Sequence, residues 1–410
     1  MSNSRRRGKP ALAYADARGR YYFDETREAL ADGGIVRAAR RDELIRAPKG
    51  TLPTLLPARR PRTSSGIERR RHTLATLLPA GYTRLLLPAY EADADAPTLP
   101  LFGYTYACAI DDELYVAAMR TDRGEDWQPR SFKSGELEAI VEERCARDPK
   151  NKMLAQLRIC ATEYACFTAQ NVFLQRGEAA LPVSPSCNAR CVGCISEQDP
   201  DAGLPSPQTR ISSEMEAEQI ARVAIEHLAC VSDGIVSFGQ GCEGEPLLRS
   251  HVIAAAIERI RNERSNGTIN LNTNGSRPRE LQRCIDAGLQ AVRISLNSFR
   301  ESTYAAYYRP QGYGLVDVLE SVRIARRGGL QVSLNLLTHP GVTDDVDEVA
   351  AMEEFLRSEP IAMVQTRTLN IDPQRYFALV GRPRETVGMR AAIERISQSG
   401  VRVGNFTHVH

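Results

Sequence analysis

Residues 268–297, TINLNTNGSRPRELQRCIDAGLQAVRISLN, read as strand, helix and strand, and the alternation of side chains in the two strands decides the fold. In the first strand Asn270, Asn272 and Asn274 share one face and Ile269 and Leu271 the other; in the second, Arg293, Ser295 and Asn297 oppose Val292, Ile294 and Leu296. The split recurs downstream. Ser333 and Asn335 oppose Val332, Leu334 and Leu336 in QVSLNLL (331–337), and Gln365 and Arg367 share a face in MVQTRTLN (363–370). LPVSP (181–185) and GIVSFGQG (234–241) complete six strand-like runs, separated by segments long enough for crossover helices, such as VIAAAIERIRNER (252–264) and VDVLESVRIARRGG (316–329). Alternating strands and helices give a parallel sheet. An open sheet covered on both sides is apolar on both faces. A face that is polar in strand after strand reads instead as a curled sheet whose concave side lines a wet or ligand-filled cavity. The expected fold class is α/β, a partial (β/α)6 TIM-like barrel with an N-terminal α+β extension.

The rest of the 410-residue chain is ordinary for a globular protein, with 42% apolar and 25% charged residues. No 18-residue apolar run is present, so no membrane span is expected. The opening MSNSRRRGKPALAYADARGR carries basic residues with no apolar stretch behind them, which points to the cytoplasm. Net charge is +2 but uneven: residues 1–75 hold 18 Lys/Arg and 8 Asp/Glu, a local excess of +10. Three units are expected. Residues 1–75 read as a basic N-terminal arm of short helical pieces, with TLPTLLPARRPRTSSG (51–66) as loop, suited to RNA, to an acidic partner or to plain solvation. Residues 76–178 read as a small unit: a hairpin in PLFGYTYACAIDDELYVAAMRTD (100–122) turning at Asp111 and Asp112, then helices near 135–147 and 152–175, with substrate recognition or lid duty as its expected role. Residues 179–410 hold the barrel.

Just after the first barrel strand comes SPSCNARCVGC (184–194), with three cysteines in eight positions. Ligands bind at the C-terminal ends of parallel strands, and clustered cysteines in a reducing compartment are more often metal ligands than disulfides. Three thiolates on one loop can hold three irons of a cubane cluster and leave the fourth iron open. A structural zinc would need a closing Cys or His, for which His227, on an expected helix, and Cys242, ending a neighbouring strand, are the nearest candidates.

CNARCVGC resembles the C-x3-C-x2-C signature of the radical S-adenosylmethionine (SAM) enzymes, and about residues 179–372 resemble that superfamily. The resemblance implies that Cys187, Cys191 and Cys194 hold a 4Fe-4S cluster, that the open iron is chelated by the amino and carboxylate groups of S-adenosyl-L-methionine, and that reductive cleavage yields a 5′-deoxyadenosyl radical. GQGCEGEPLL (239–248) is similar to the family's G-G-E-P segment, whose backbone binds the SAM amino group; Gly244, Glu245 and Pro246 match, and Glu243 stands where the family often has Gly. The resemblance also implies cofactor contacts from strand ends: Asn274 in the T-N-G exit, Arg293, Ser295 and Asn297 toward the carboxylate and ribose, and Asn335 and Arg367 on the same polar face. Relatives often carry an aromatic residue before the third cysteine, where this chain has Gly193. A flavodoxin or ferredoxin-type electron donor is implied as partner.

Beyond the cluster, ISEQDPDAGLPSPQTRIS (195–212) reads as a loop able to cover the site. Cys242 reads as a redox-active or catalytic thiol, against the plainer reading of a buried cysteine. Cys145, Cys160 and Cys166 raise a second cluster, although their spacing fits no compact cluster loop. No cysteine follows Cys284, so the C-terminal cluster extension of peptide-modifying relatives and the late second cysteine of the RNA-methylating relatives are both missing. The expected function is a radical SAM enzyme acting on a peptide, an RNA or a small molecule. A metal-stabilised RNA- or protein-binding module, and a barrel that binds SAM without cleaving it, are the other readings.

Overall fold

A computed structural model describes residues 8–122, 132–133, 135–198 and 203–405. Its C-terminal half is one seven-stranded sheet in sequential order: β1 (Glu178–Leu181), β2 (Ile235–Phe238), β3 (Thr268–Thr273), β4 (Ala291–Leu296), β5 (Gln331–Thr338), β6 (Met363–Thr368) and β7 (Arg402–Gly404). Every neighbouring pair is parallel. Sequential order with right-handed crossovers puts the helices on one face and curls the sheet around the other. The first and last strands are not paired, so the barrel is partial. The connecting helices are α1 (Ala217–Cys230), α2 (Ser250–Glu263), α3 (Pro278–Asp286), α4 (Glu301–Tyr308), α5 (Leu315–Arg327), α6 (Val346–Ser358), α7 (Pro373–Val380) and α8 (Met389–Gln398).

The outer strand face is the expected apolar one. Ile269, Leu271, Val292, Ile294, Leu296, Leu334 and Leu336 are buried in a core shared with α2, α3 and α5. The concave face carries a polar lattice instead. Glu178 forms an ion pair of 2.6 Å with Arg293 and accepts a bond from Ser237 Oγ; Asn270 Nδ2 donates to Ser237 Oγ at 3.1 Å, Arg293 Nη1 to Asn272 Oδ1 at 3.3 Å, and Asn335 Nδ2 to Ser295 Oγ at 3.3 Å.

The first 120 residues depart from the expected arm. An eight-stranded antiparallel sheet joins Ala11–Ala15, Tyr21–Asp24, Leu44–Arg46, Leu52–Leu56 and His72–Leu77 to Tyr82–Arg84 and to the hairpin strands Thr105–Ile110 and Glu113–Arg120. Of the short helical pieces expected there, the described residues show one 3-10 turn, Arg41–Glu43. The proline-rich 51–66 stretch is strand as well. Leu52–Leu56 pairs only with His72–Leu77, so Pro53 sits on an edge strand, where a missing N–H costs little. The hairpin forms as expected: Ile110 pairs with Glu113, and Asp111 and Asp112 both take positive φ, 50° and 62°, the conformation a two-residue hairpin turn demands. The second expected helix is two, Lys152–Thr162 and Phe167–Leu174, separated where Ala165 takes φ 49° and Cys166 N–H turns back to Cys160 O.

The N-terminal sheet docks on the exit of β6. Arg59 and Asp372, 1% and 2% exposed, form an ion pair of 2.7 Å. Asp372 also accepts Leu99 N–H and caps α7 through Gln374 N–H. Arg84, fully buried, donates to the carbonyls of Phe102, Tyr104 and Leu369, and Thr83 shares a hydroxyl hydrogen bond with Thr366.

Candidate functional site

The three-cysteine loop leaves β1 and is clamped along its length. Near its start, the Glu243 carboxylate accepts the N–H groups of Val183 and Ser184, both at 2.8 Å, and of Gln240 at 2.7 Å. Gly244 N–H donates to Ser184 O and Glu245 N–H to Ser186 O. The approach is so close that a Cβ on Gly244 would stand 1.9 Å from Ser186 O, so only glycine fits. Further along, Val192 N–H donates to Tyr307 O and Arg190 N–H to Tyr308 O, both at 3.0 Å, and Ala189 bridges Pro310. Between these clamps Asn188 takes a bond from Asn274 Nδ2 at 3.0 Å and donates to Ser276 Oγ at 2.9 Å. The exits of β2 and β3 and the end of α4, the helix after β4, therefore all hold one loop.

Burial pushes the Cys187 thiol up to about 11 and that of Cys191 further, and the charge of the neighbouring thiols adds to both. Deprotonating such a group is unfavourable without a cation beside it, the chemistry of a metal-binding thiol set. Arg210 supplies one such charge. Its guanidinium donates to Cys194 Sγ at 3.4 Å, reaches Ser196 Oγ and pairs with Glu197. Among the described residues no three Cys, His, Asp or Glu side chains converge tightly enough for a single ion. Three thiols on one loop are the donor set that a multi-iron cluster takes, one thiolate to each iron. His227, a candidate closing ligand, is buried on α1 with Nε2 bonded to Gly177 O.

The other expected site residues divide into groups. Glu245, enclosed and pushed up to about 7 by burial, turns its carboxylate to Thr273 Oγ1, Asn274 N–H and Leu247 N–H, which leaves its main chain beside the loop. Pro246 opens the buried turn Pro246–Arg249. Asn274 faces the cysteine loop through Asn188 rather than open space. Ser295 and Asn335 bond each other on the concave face, and the Asn335 Oδ1 atom has no partner among the described residues. Arg293 is set apart. It is committed to Glu178, at the start of β1, the end opposite the cysteine loop. Arg367 is enclosed near it, its basicity lowered by burial and by the Arg293 charge. Asn297 is 1% exposed and donates to Tyr376 OH and Thr303 O, a packing role between α4 and α7.

Cys242 is buried against Cys160. The thiols lie close enough to interact directly, which holds Cys160 below the usual thiol range and Cys242 above it, with Cys166 nearby. Cys145 is apart from them, bonded to Leu154 O. The covering loop lies partly outside the described residues; its described part folds back through Gln208 N–H to Ile195 O and Gln198 Nε2 to Cys194 O. Sequence reading missed Glu243 as a clamp, Arg210 as the cation beside Cys194, and the tyrosines of α4. The pattern YAAYY (304–308) was the available signal for the last.

A partial parallel barrel with a clamped three-thiol loop at its first strand exit defines the class, an α/β barrel built to present thiols at the strand ends. Residues 181–352 match the model of the Radical SAM superfamily, and this part of the chain is similar to that superfamily. It is 31% identical over 177 residues to a GTP 3′,8-cyclase of Thermodesulfovibrio yellowstonii, covering 42% of this chain and 50% of that protein. Similarity to the human molybdenum cofactor biosynthesis protein 1 is 27% over 219 residues, 52% of this chain and 32% of that one. A radical SAM methyltransferase structure from Sphaerobacter thermophilus aligns over 55% of this chain and 64% of its own at 14% identity and TM-score 0.40. The chain spans half or less of the length of these two curated relatives.

Proposed function

We propose that this chain is a radical SAM enzyme in which Cys187, Cys191 and Cys194 hold a 4Fe-4S cluster, the strand exits beside them take S-adenosyl-L-methionine, and the polar barrel interior takes the substrate. The observation that carries the reading is the loop itself, three thiols within eight residues held in place by the exits of two strands and the end of α4. When bound, the cluster supplies the electron that cleaves S-adenosyl-L-methionine to a 5′-deoxyadenosyl radical able to take a hydrogen atom from substrate.

The chain's own residues orient and enclose. Glu243 fixes the segment that enters the loop, and Gly244 lets two main chains meet. Glu245 anchors the main chain that, by resemblance, meets the SAM amino group. Arg210 places a cation at Cys194. Inside the barrel the carboxamide oxygens of Asn270 and Asn335 have no partner among the described residues and are acceptors for a molecule rich in N–H or O–H groups. GTP is the first such molecule to test, since relatives are GTP 3′,8-cyclases. A flavodoxin or ferredoxin-type protein is the proposed electron donor, and among the described residues no helix is long and apolar enough to cross a membrane. In this reading 179–410 is the catalytic part and the residues before it support it.

A binding module built on a basic arm finds less support. Arg27, Arg37, Arg59, Arg60 and Arg71 are paired with Glu68, Glu43, Asp372, Asp93 and Asp24. The deciding experiment is anaerobic reconstitution with iron and sulfide, then reduction with dithionite in the presence of SAM. A brown protein that releases 5′-deoxyadenosine is expected; a colourless protein that retains zinc instead would sink the reading.

A further inference from the structure

Helix α4 brings to the cysteine loop a phenol that the loop's own sequence does not announce. Tyr307 is 4% exposed, its carbonyl holds Val192 N–H, and its ring meets Tyr308 and Tyr376 edge-on with centroids 5.1 and 6.1 Å away. Its hydroxyl lies 3.1 Å, and its nearest ring carbon 3.4 Å, from the point where a Cβ on Gly193 would stand. Gly193 joins Cys191 to Cys194, and its backbone is outside the left-handed region, so space rather than conformation calls for glycine. The missing side chain is what lets the phenol oxygen rest on the segment between two thiols, near enough for the charges of both Cys191 and Cys194 to act on it.

That oxygen finds no partner among the described residues. Tyr304 OH meets Tyr313 OH at 3.4 Å and Tyr376 OH accepts Asn297 Nδ2 at 2.9 Å, whereas Tyr307 OH makes no hydrogen bond with a described residue. A nearly enclosed hydroxyl with no partner is a donor awaiting an acceptor. Thiolate and cluster sulfurs are acceptors, and a donor to them stabilises the extra negative charge of the reduced state.

Resting on the cluster assignment above, we propose that Tyr307 is the cluster's hydrogen-bond donor, giving its phenol proton to a sulfur at the Cys191 and Cys194 side and thereby raising the reduction potential. The test compares wild type with Tyr307→Phe after anaerobic reconstitution, by iron content and by a redox titration followed by electron paramagnetic resonance. The expected result is unchanged iron per chain and a midpoint shifted to more negative potential. An unchanged midpoint at full iron content overturns the proposal while leaving the cluster assignment standing; a wild type that binds no iron and sulfide overturns both. Should Tyr307→Phe hold less iron, Gly193→Ala decides, because it keeps the phenol and crowds its oxygen. The same negative shift there supports the proposal, and no shift overturns it.

Discussion

The cysteine loop and the N-terminal sheet are both fixed by buried polar groups, but over very different chain distances. The loop's three thiols lie within eight residues, and the sequence alone names them. Arg59, in the strand Arg59–Thr63 that follows the sheet's edge strand, finds Asp372 313 positions away, and Thr83 of the sheet finds Thr366 283 positions away. Donor atoms for the site are written locally, whereas the wall around it is assembled from the two ends of the chain. The wall reaches the loop physically. Leu369 and Asp372, held by Arg84 and Arg59, flank Asn370, whose carbonyl is 3.5 Å from the place of a Gly193 Cβ.

Cys191→Ala separates the two regions most sharply. Loss of one thiolate should abolish iron retention and bring 5′-deoxyadenosine to background, while the apoprotein melts close to wild type, because the apolar core behind the strands contains no metal. Turnover like wild type would contradict the assignment. Arg59→Met should do the reverse. It leaves all three cysteines in place but strands Asp372 in a dry site, a loss of about 3–5 kcal/mol for one partner of a buried pair. Urea denaturation checks it, and the double change Arg59→Met with Asp372→Leu should recover much of the loss. A cost below about 1 kcal/mol would mean that the sheet is only loosely appended.

Gly244→Ala tests a residue that belongs to the loop's clamp and not to its donors. Its Cβ would meet Ser186 O, so the two main chains must part, and overpacking of this kind costs about 1–3 kcal/mol. A lower melting temperature of the apoprotein, with reduced iron occupancy, is expected. Full occupancy and unchanged melting would show that the loop tolerates a wider gap than its hydrogen bonds imply.

The same comparison explains what was legible. Four barrel strands, β3 to β6, could be read because a polar interior imprints alternation on them; β1 was expected at 181–185 and lies instead at Glu178–Leu181, a fully buried run with no alternation to place it, and β7 could not be read, since Arg402–Gly404 is too short to show a period. The N-terminal strands were obscured by Pro53, Pro57 and Pro61, which read as turn signals: Pro57 does stand in a turn, but Pro53 is sheltered on an edge strand and Pro61 lies in the middle strand Arg59–Thr63 of a three-stranded sheet, positions that are properties of the assembled sheet. The thiols were legible by spacing. Glu243 was read only as a departure from a glycine, because its three N–H partners come from Gln240 and from Val183 and Ser184, some sixty positions earlier. Arg293 was placed with the strand ends because alternation tells which face a residue takes and not how deep along the strand it lies.

The smallest effect is expected where the two regions meet. His339 is fully buried, and Tyr376 and Phe377 pack edge-on against it at 4.8 and 5.1 Å. Burial holds its pKa well below the ordinary 6.5, and the charges of Arg84, from the N-terminal sheet, and Arg382, from the loop after α7, add to the depression. The unfolded chain therefore binds the proton that the folded chain refuses. Stability contributed by the neutral ring is fully present above pH 6.5 and falls as pH drops through and below that value, with a slope of at most about 1.4 kcal/mol per pH unit for one proton. Subtracting the profile of His339→Leu from that of wild type, by thermal melts of the apoprotein between neutral and mildly acidic pH, should isolate this slope from the carboxylates that titrate lower. Parallel profiles would show that the ring is protonated or solvated in the folded chain, and with it that the junction of barrel and sheet is looser than the Arg59 and Asp372 pair makes it.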